Sequence, residues 1–501
     1  GPRRRACAER WTLANAAAAV CQKIARPVTR RNTGAPATAH NRAVRATILI
    51  AVATLALPGA ARAATYQVGP TRPNATLNAL FNTIDLGPGD VVEVDGNVIY
   101  GGDIVMPAAD GGGAGNPVTL RGIRVNGQRP HLRGGTNTIE FRLADHVVFE
   151  GFEVSGTGDT LGGTFRCVYH HSHDLVIRDA FIHDCPRHGI LGADNDSGSL
   201  TVEYSEIANA GSNGGNHAIY MATDEIAHPG SVFRLQYSYV HDSRYDDTRD
   251  GGNLIKSRAE RNEIYYNWLE GAFFHELELI GPDPAGGVPE NQAREDSDVV
   301  GNVIVHTAAF GAVMRFGGDA TGQSNGRYRF VNNTVVRLGG AGDTPTIFRL
   351  FDGIEALQVH NNVIWREGAA ATRIIREVEA LWTGGISRIA GSGNWIESGS
   401  TFVPASWTAT LAGSDPGFAG AAALDFRPAA GSPLLDNGNG APTAPAGYEI
   451  GAPLFPPARH PPQRILLAPG SAPARIPNGA IDIGAFEQVD LGILLRDGFE
   501  D

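Results

Sequence analysis

The chain has 501 residues, 64 of them glycine, and a formal net charge of −12. Over residues 64–501 acidic side chains outnumber basic ones 52 to 30, which argues against a nucleic-acid partner, because that affinity rests on clustered Lys and Arg against phosphate. A single lysine, Lys256, stands among the 29 arginines of the same stretch. An amine can give up its proton where a guanidinium cannot, so Lys256 is a candidate base.

Residues 1–63 read as upstream sequence followed by a signal peptide. The apolar run Ile48–Leu57 lies behind Arg42 and Arg45 and ahead of Ala61-Arg62-Ala63. That is the order of an export signal, and the run is too short to span a bilayer. The expectation is a secreted or periplasmic monomer with no membrane span.

Residues 64–437 repeat. An apolar anchor is followed three residues later by a small or polar residue and two after that by an aliphatic. The anchors are Phe149, Ile177, Val202, Leu235, Ile264, Val299, Phe330 and Val359, at intervals of 25 to 35 residues. The aliphatics five past each anchor are Val154, Ile182, Ile207, Val240, Leu269, Ile304, Val335 and Ile364. At the third position the last five repeats carry Ser238, Asn267, Asn302, Asn333 and Asn362. Short alternating strands at this spacing predict an all-β solenoid, a parallel β-helix, with stacked aliphatics inside and an asparagine ladder at a turn. Propeller blades need more strands than these repeats hold, and the period of two excludes a helical solenoid. Cys167 and Cys185 suit either a disulfide or two buried thiols.

Each repeat has a further strand before its anchor. Alternation points Arg142, Tyr169, Tyr220, Lys256, Glu278, Arg315 and Arg349 outward. Tyr220, Lys256, Glu278 and Arg315 should then form one column across adjacent coils, about 4.8 Å apart. Such a column suits β-elimination on a uronic-acid polysaccharide. Lys256 would take the proton, Arg315 would clamp the carboxylate, and Tyr220 or His217 would protonate the leaving oxygen. Arg258, His275, Tyr169, Arg142 and Arg349 are candidate substrate contacts. Glu276, Glu278 and Asp250 offer hard oxygen ligands for Ca²⁺. The histidines His170, His171, His173, His183 and His188 show no zinc-site spacing. The insertion at 281–297 is expected to form a loop beside the column.

Residues 438–501 are rich in Pro, Ala and Gly up to about residue 480 and read as a loop-rich closing segment. The tail Leu495–Glu500 resembles a short C-terminal tag of exported proteobacterial proteins.

Residues 85–122 resemble the opening coils of the right-handed parallel β-helix, pectate-lyase-like superfamily, and 425–436 with 482–487 resemble its closing segment. Within it, Lys256-Ser257 followed by Asn262 and Asn267 resembles the lysine-bearing segment of the chondroitinase B and alginate lyase family of polysaccharide lyases. That resemblance implies Lys256 as base, with an arginine on the next coil and Ca²⁺ in many members. Here the next coil reads Phe274-His275-Glu276-Leu277-Glu278, so His275, or Arg315 one coil further, takes the arginine's place. Three functions follow as expectations. The first is an exported lyase or C5-epimerase acting on an acidic polysaccharide. The second is a glycoside hydrolase using Asp246, Asp247 and Asp250. The third is a non-catalytic glycan-binding solenoid.

Overall fold

Each turn of the chain contributes one strand to each of three parallel sheets. A computed structural model describes residues 63–488 except 159–161, 246–249, 282–294, 309–311, 319–325, 340–345, 352–353, 369–370 and 378–387. Among the described residues the sheets have 13, 12 and 10 strands, and neighbours within a sheet are almost always three strands apart in the chain. The fold is a right-handed parallel β-helix, as the repeat predicts.

The register is the one the repeat implies. Phe149 pairs with Ile177, Ile177 with Val202, and so on through Leu235, Ile264, Val299 and Phe330 to Val359. The aliphatics from Val154 to Ile364 pair in the same way on the twelve-strand sheet. All of them are buried in one continuous core, which places the hydrophobic driving force along the whole axis.

The corner between these two sheets is a two-residue bend. The residue two past each anchor is left-handed: Gly151, Asp179, Tyr204, Tyr237, Tyr266, Gly301, Asn332 and Asn361 all have φ between 48° and 82°. That conformation is costly for tyrosine. The stacked rings of Tyr204 on Tyr237 (4.8 Å) and Tyr237 on Tyr266 (5.5 Å) offset part of the cost. The next residue builds the ladder. Asn302 Oδ1 accepts from the Asn267 backbone N–H at 2.8 Å, and Asn302 Nδ2 donates to the Ile264 carbonyl at 2.8 Å. Asn267, Asn333 and Asn362 repeat the pattern, and Asn394 extends it by one coil.

The N-terminal end is covered by a short helix, Leu77–Phe81, whose Thr76 cap accepts from the Ala79 N–H at 3.2 Å. Its Leu77, Leu80 and Phe81 close the core. After Asp425–Pro428 no further helix or strand occurs among the described residues. This segment lies along the outside of the coils. Asn332 Nδ2 donates to the Asp482 carbonyl at 3.0 Å, and the Leu454 N–H reaches Asp298 Oδ2 at 2.8 Å. Phe426, Ala485 and Phe486 pack on Val303, Val305 and Val336 of the twelve-strand sheet. Cys167 and Cys185 form a disulfide with a Cα separation of 6.0 Å. Among the described residues no helix is long and apolar enough to cross a membrane.

Candidate functional site on the ten-strand sheet

Strict alternation does not hold on the ten-strand sheet. Many of its coils place two consecutive residues inward before the outward one. The pairs are Ala218-Ile219, Leu254-Ile255, Val313-Met314, Ile347-Phe348 and Ile374-Ile375, all in the core. Two outward columns therefore run side by side, three residues apart in each strand.

The first column is the one that carries Lys256. Tyr220 pairs with Lys256, Lys256 with Glu278, Glu278 with Arg315, Arg315 with Arg349 and Arg349 with Arg376. Upstream it continues through Leu191 and Tyr169 to Glu140. The predicted neighbours thus share the column. Tyr169 lies two coils from Tyr220 with Leu191 between, and Glu140 occupies the place expected of Arg142. Arg142 pairs with His171 instead, two residues along, where its Nε donates to Glu140 Oε1 at 2.7 Å.

The second column was not expected. Its members Arg166 and His188 pair directly, and His217, Asn253 and His275 continue it through coil-to-coil hydrogen bonds. The Asn253 N–H donates to His217 Nδ1 at 3.0 Å, and the His275 N–H donates to Asn253 Oδ1 at 3.1 Å. The apolar pairs between the columns are the sequence signal that marks it. His217 Nδ1 is an acceptor, so Nε2 carries its hydrogen in the neutral ring. The His217 ring stands edge-on to Tyr220 at 5.6 Å. Burial, with Arg166, Arg187 and Lys256 nearby, lowers His188 to about 3.

Glu278 organises the centre. Its Oε1 accepts from Arg315 Nη1 at 2.7 Å, and its Oε2 lies 4.0 Å from Lys256 Nζ and accepts from Asn253 Nδ2. Lys256 Nζ stands 5.2 Å from the centre of the Tyr220 ring. Arg315 also stacks on Phe351 at 4.2 Å, which Arg349 approaches at 4.9 Å. The Lys256 and Arg315 side chains are 16% and 17% exposed. They sit recessed in the sheet face rather than in bulk solvent. Arg258 pairs with Ala222 on the same strands and is buried.

Three expectations need correction. Glu276 takes the inward position held by Leu254 and Val313 in neighbouring coils, and its Oε2 meets His306 Nδ1 at 2.6 Å with both side chains wholly buried. Burial raises its pKa. It cannot share a surface ion with Glu278, although the two are only two residues apart. Asp250 is exposed on the turn before Lys256. Among the described residues Glu276, Glu278 and Asp250 do not bring their carboxylates within reach of one ion, so the predicted Ca²⁺ ligand set does not assemble. His275 is buried, its Nδ1 donates to the Ala312 carbonyl at 3.0 Å, and burial lowers it to about 3. It is a neutral wall residue and no substitute for an arginine. Asp246, Asp247, most of the 281–297 insertion and the tail Leu495–Glu500 lie outside the described residues.

The fold and the outward face define a parallel β-helix with a mixed cationic and aromatic sheet face. Comparison with solved structures agrees on the fold. The chain is similar to pectate lyase Pel9A at 15% identity and a TM-score of 0.50, over 86% of this chain and 98% of that one. It is also similar to XylC in complex with xylose, at 10% identity and a TM-score of 0.41 over 71% and 87% of the two chains. A polysaccharide lyase of family PL6 from Pseudopedobacter saltans follows at 13% identity and 0.38, over 68% and 90%. No family model and no curated relative matches the chain.

Proposed function

We propose that the chain is an exported lyase that cleaves a uronic-acid-containing polysaccharide by β-elimination on the ten-strand sheet. The observation that carries this reading is the shared register of Tyr220, Lys256, Glu278 and Arg315 on successive coils. A linear polymer lying across the coils meets these groups in order. Lys256 takes the proton beside the uronate carboxylate. Arg315, held by Glu278 and Phe351, neutralises that carboxylate through its guanidinium fork. Tyr220, or the Nε2–H of His217, protonates the leaving oxygen. Tyr169 and Arg349 lie further along the same sheet and would bind flanking sugars; Arg258, expected to join them, is buried. The predicted calcium ligands do not fit an ion, and no step is assigned to one. A C5-epimerase would share the first proton abstraction.

The test is ultraviolet absorbance from unsaturated products on a panel of uronate polymers. The expected result is product from the parent protein and its loss in Lys256→Ala. Full activity in Lys256→Arg would refute the base assignment. A second reading, a glycan-binding solenoid without turnover, is favoured by the salt-bridged state of Arg315. It predicts glycan binding with no absorbing product.

A further inference from the structure

We propose a second, independent site on the twelve-strand sheet: a divalent transition-metal site, suited to Zn²⁺, formed by His131, Glu153 and His183. The three residues come from three successive coils. His131 pairs in register with Glu153, and His183 lies one coil on, paired with Ser155. Each turns one ligand atom toward a common point, and these atoms lie within 4.8 Å of one another. Glu153 Oε1 is 3.4 Å from His131 Nδ1 and 3.2 Å from His183 Nε2. Ligands at about 2.1 Å from a tetrahedral ion stand about 3.4 Å apart, so the ion fits with little movement.

The outer nitrogens are already engaged. His183 Nδ1 meets Asp184 Oδ2 at 2.9 Å, and His131 Nε2 meets Ser155 Oγ at 2.7 Å. A carboxylate behind a histidine fixes its tautomer and aims the other nitrogen at the metal. The Phe181 ring, stacked on His183 at 4.1 Å, fixes the ring plane. Two imidazoles and a carboxylate suit zinc better than calcium. The ligands open onto a cleft of about 560 Å³ that His131, His183 and Asp184 line with Gly156, Gly158 and Tyr245. Three protein ligands leave the fourth position for solvent or an incoming group on that side.

The fold supplies an internal control. Two coils on, Glu206, His241 and Asp242 repeat the arrangement, with His241 Nδ1 at 2.8 Å from Asp242 Oδ2 and Nε2 at 3.3 Å from Glu206 Oε1. Behind Glu206 in the column stands Phe181, where His131 stands behind Glu153. The second cluster therefore lacks the second nitrogen and is an ion pair.

Calorimetric titration of the full chain with Zn²⁺, and Co²⁺ absorption as a geometry readout, test the site. The expected result is one ion per chain bound in the micromolar range or tighter, with a tetrahedral Co²⁺ spectrum. His131→Gln and His183→Gln should each weaken binding by about 100-fold or more, with far-ultraviolet dichroism unchanged, while His241→Gln leaves it intact. No binding up to millimolar Zn²⁺, or equal binding in the His131→Gln and His183→Gln variants, overturns the proposal. Neither result bears on Lys256, which lies on another sheet.

Discussion

Glu276, just before the strand Leu277–Leu279, and Glu278 within it lie two residues apart but on opposite sides of the coil wall. Glu276 points inward to His306 at 2.6 Å, and Glu278 points outward to Arg315 at 2.7 Å. The reason is the doubled inward position, Glu276-Leu277, which corresponds to Leu254-Ile255 and Val313-Met314 on the neighbouring coils. One carboxylate therefore serves the core and the other serves the face.

Glu278→Gln should uncouple Arg315 from its anchor while keeping the shape of the side chain. Turnover on a responsive uronate polymer is expected to fall about tenfold or more, since loss of one charge-assisted contact costs about 1.5–3 kcal/mol. An unchanged rate in a folded variant would show that Phe351 positions Arg315 without Glu278.

Asn333→Ala removes the acceptor for the Asn302 N–H (2.9 Å) and the donor to the Val299 carbonyl (2.9 Å), both buried. Each group left unsatisfied costs about 1–3 kcal/mol, so the variant should lose about 2–5 kcal/mol in chemical denaturation. A loss near zero would mean that the ladder contributes alignment but little stability.

Glu225 gives a pH signature. The residue is 9% exposed, Oε1 accepts from Thr223 Oγ1 at 3.2 Å, and Oε2 has no hydrogen-bond partner. Burial, with Glu260 nearby, raises it from 4.5 to about 7. A carboxyl raised in the folded state favours folding when protonated. Its contribution is therefore whole below about pH 4.5 and is lost as pH rises through about 7, by up to about 3 kcal/mol. Glu225→Gln should gain thermal stability relative to the parent between pH 4.5 and 8. A difference that does not change across that range would refute the assignment.

The Cys167–Cys185 disulfide closes a loop of sequence separation 18. Residues 64–501 contain no other cysteine, so a protein limited to those residues should expose no titratable thiol when unfolded without reductant. Replacing both cysteines by alanine should cost about 2–4 kcal/mol. Two thiols titrating in the oxidised protein would contradict the pairing.

The β-helix was legible in the sequence because its determinants are local and repeated. Each coil must place an aliphatic at the same distance past its anchor, and each turn must satisfy the next backbone N–H, so the spacing of Val154 to Ile364 and of Asn267 to Asn362 marks the coils directly. The neighbours of Lys256 followed from the same count, since register fixes what lies one coil away. The facing of Glu276 did not follow, because a doubled inward position breaks the period of two and resembles ordinary alternation in a single strand. The approach of His131 to His183, the choice of a disulfide over two thiols and the burial of His275 could not be read either. Each depends on how far apart two coils sit and what covers them, distances that packing fixes and sequence spacing does not encode.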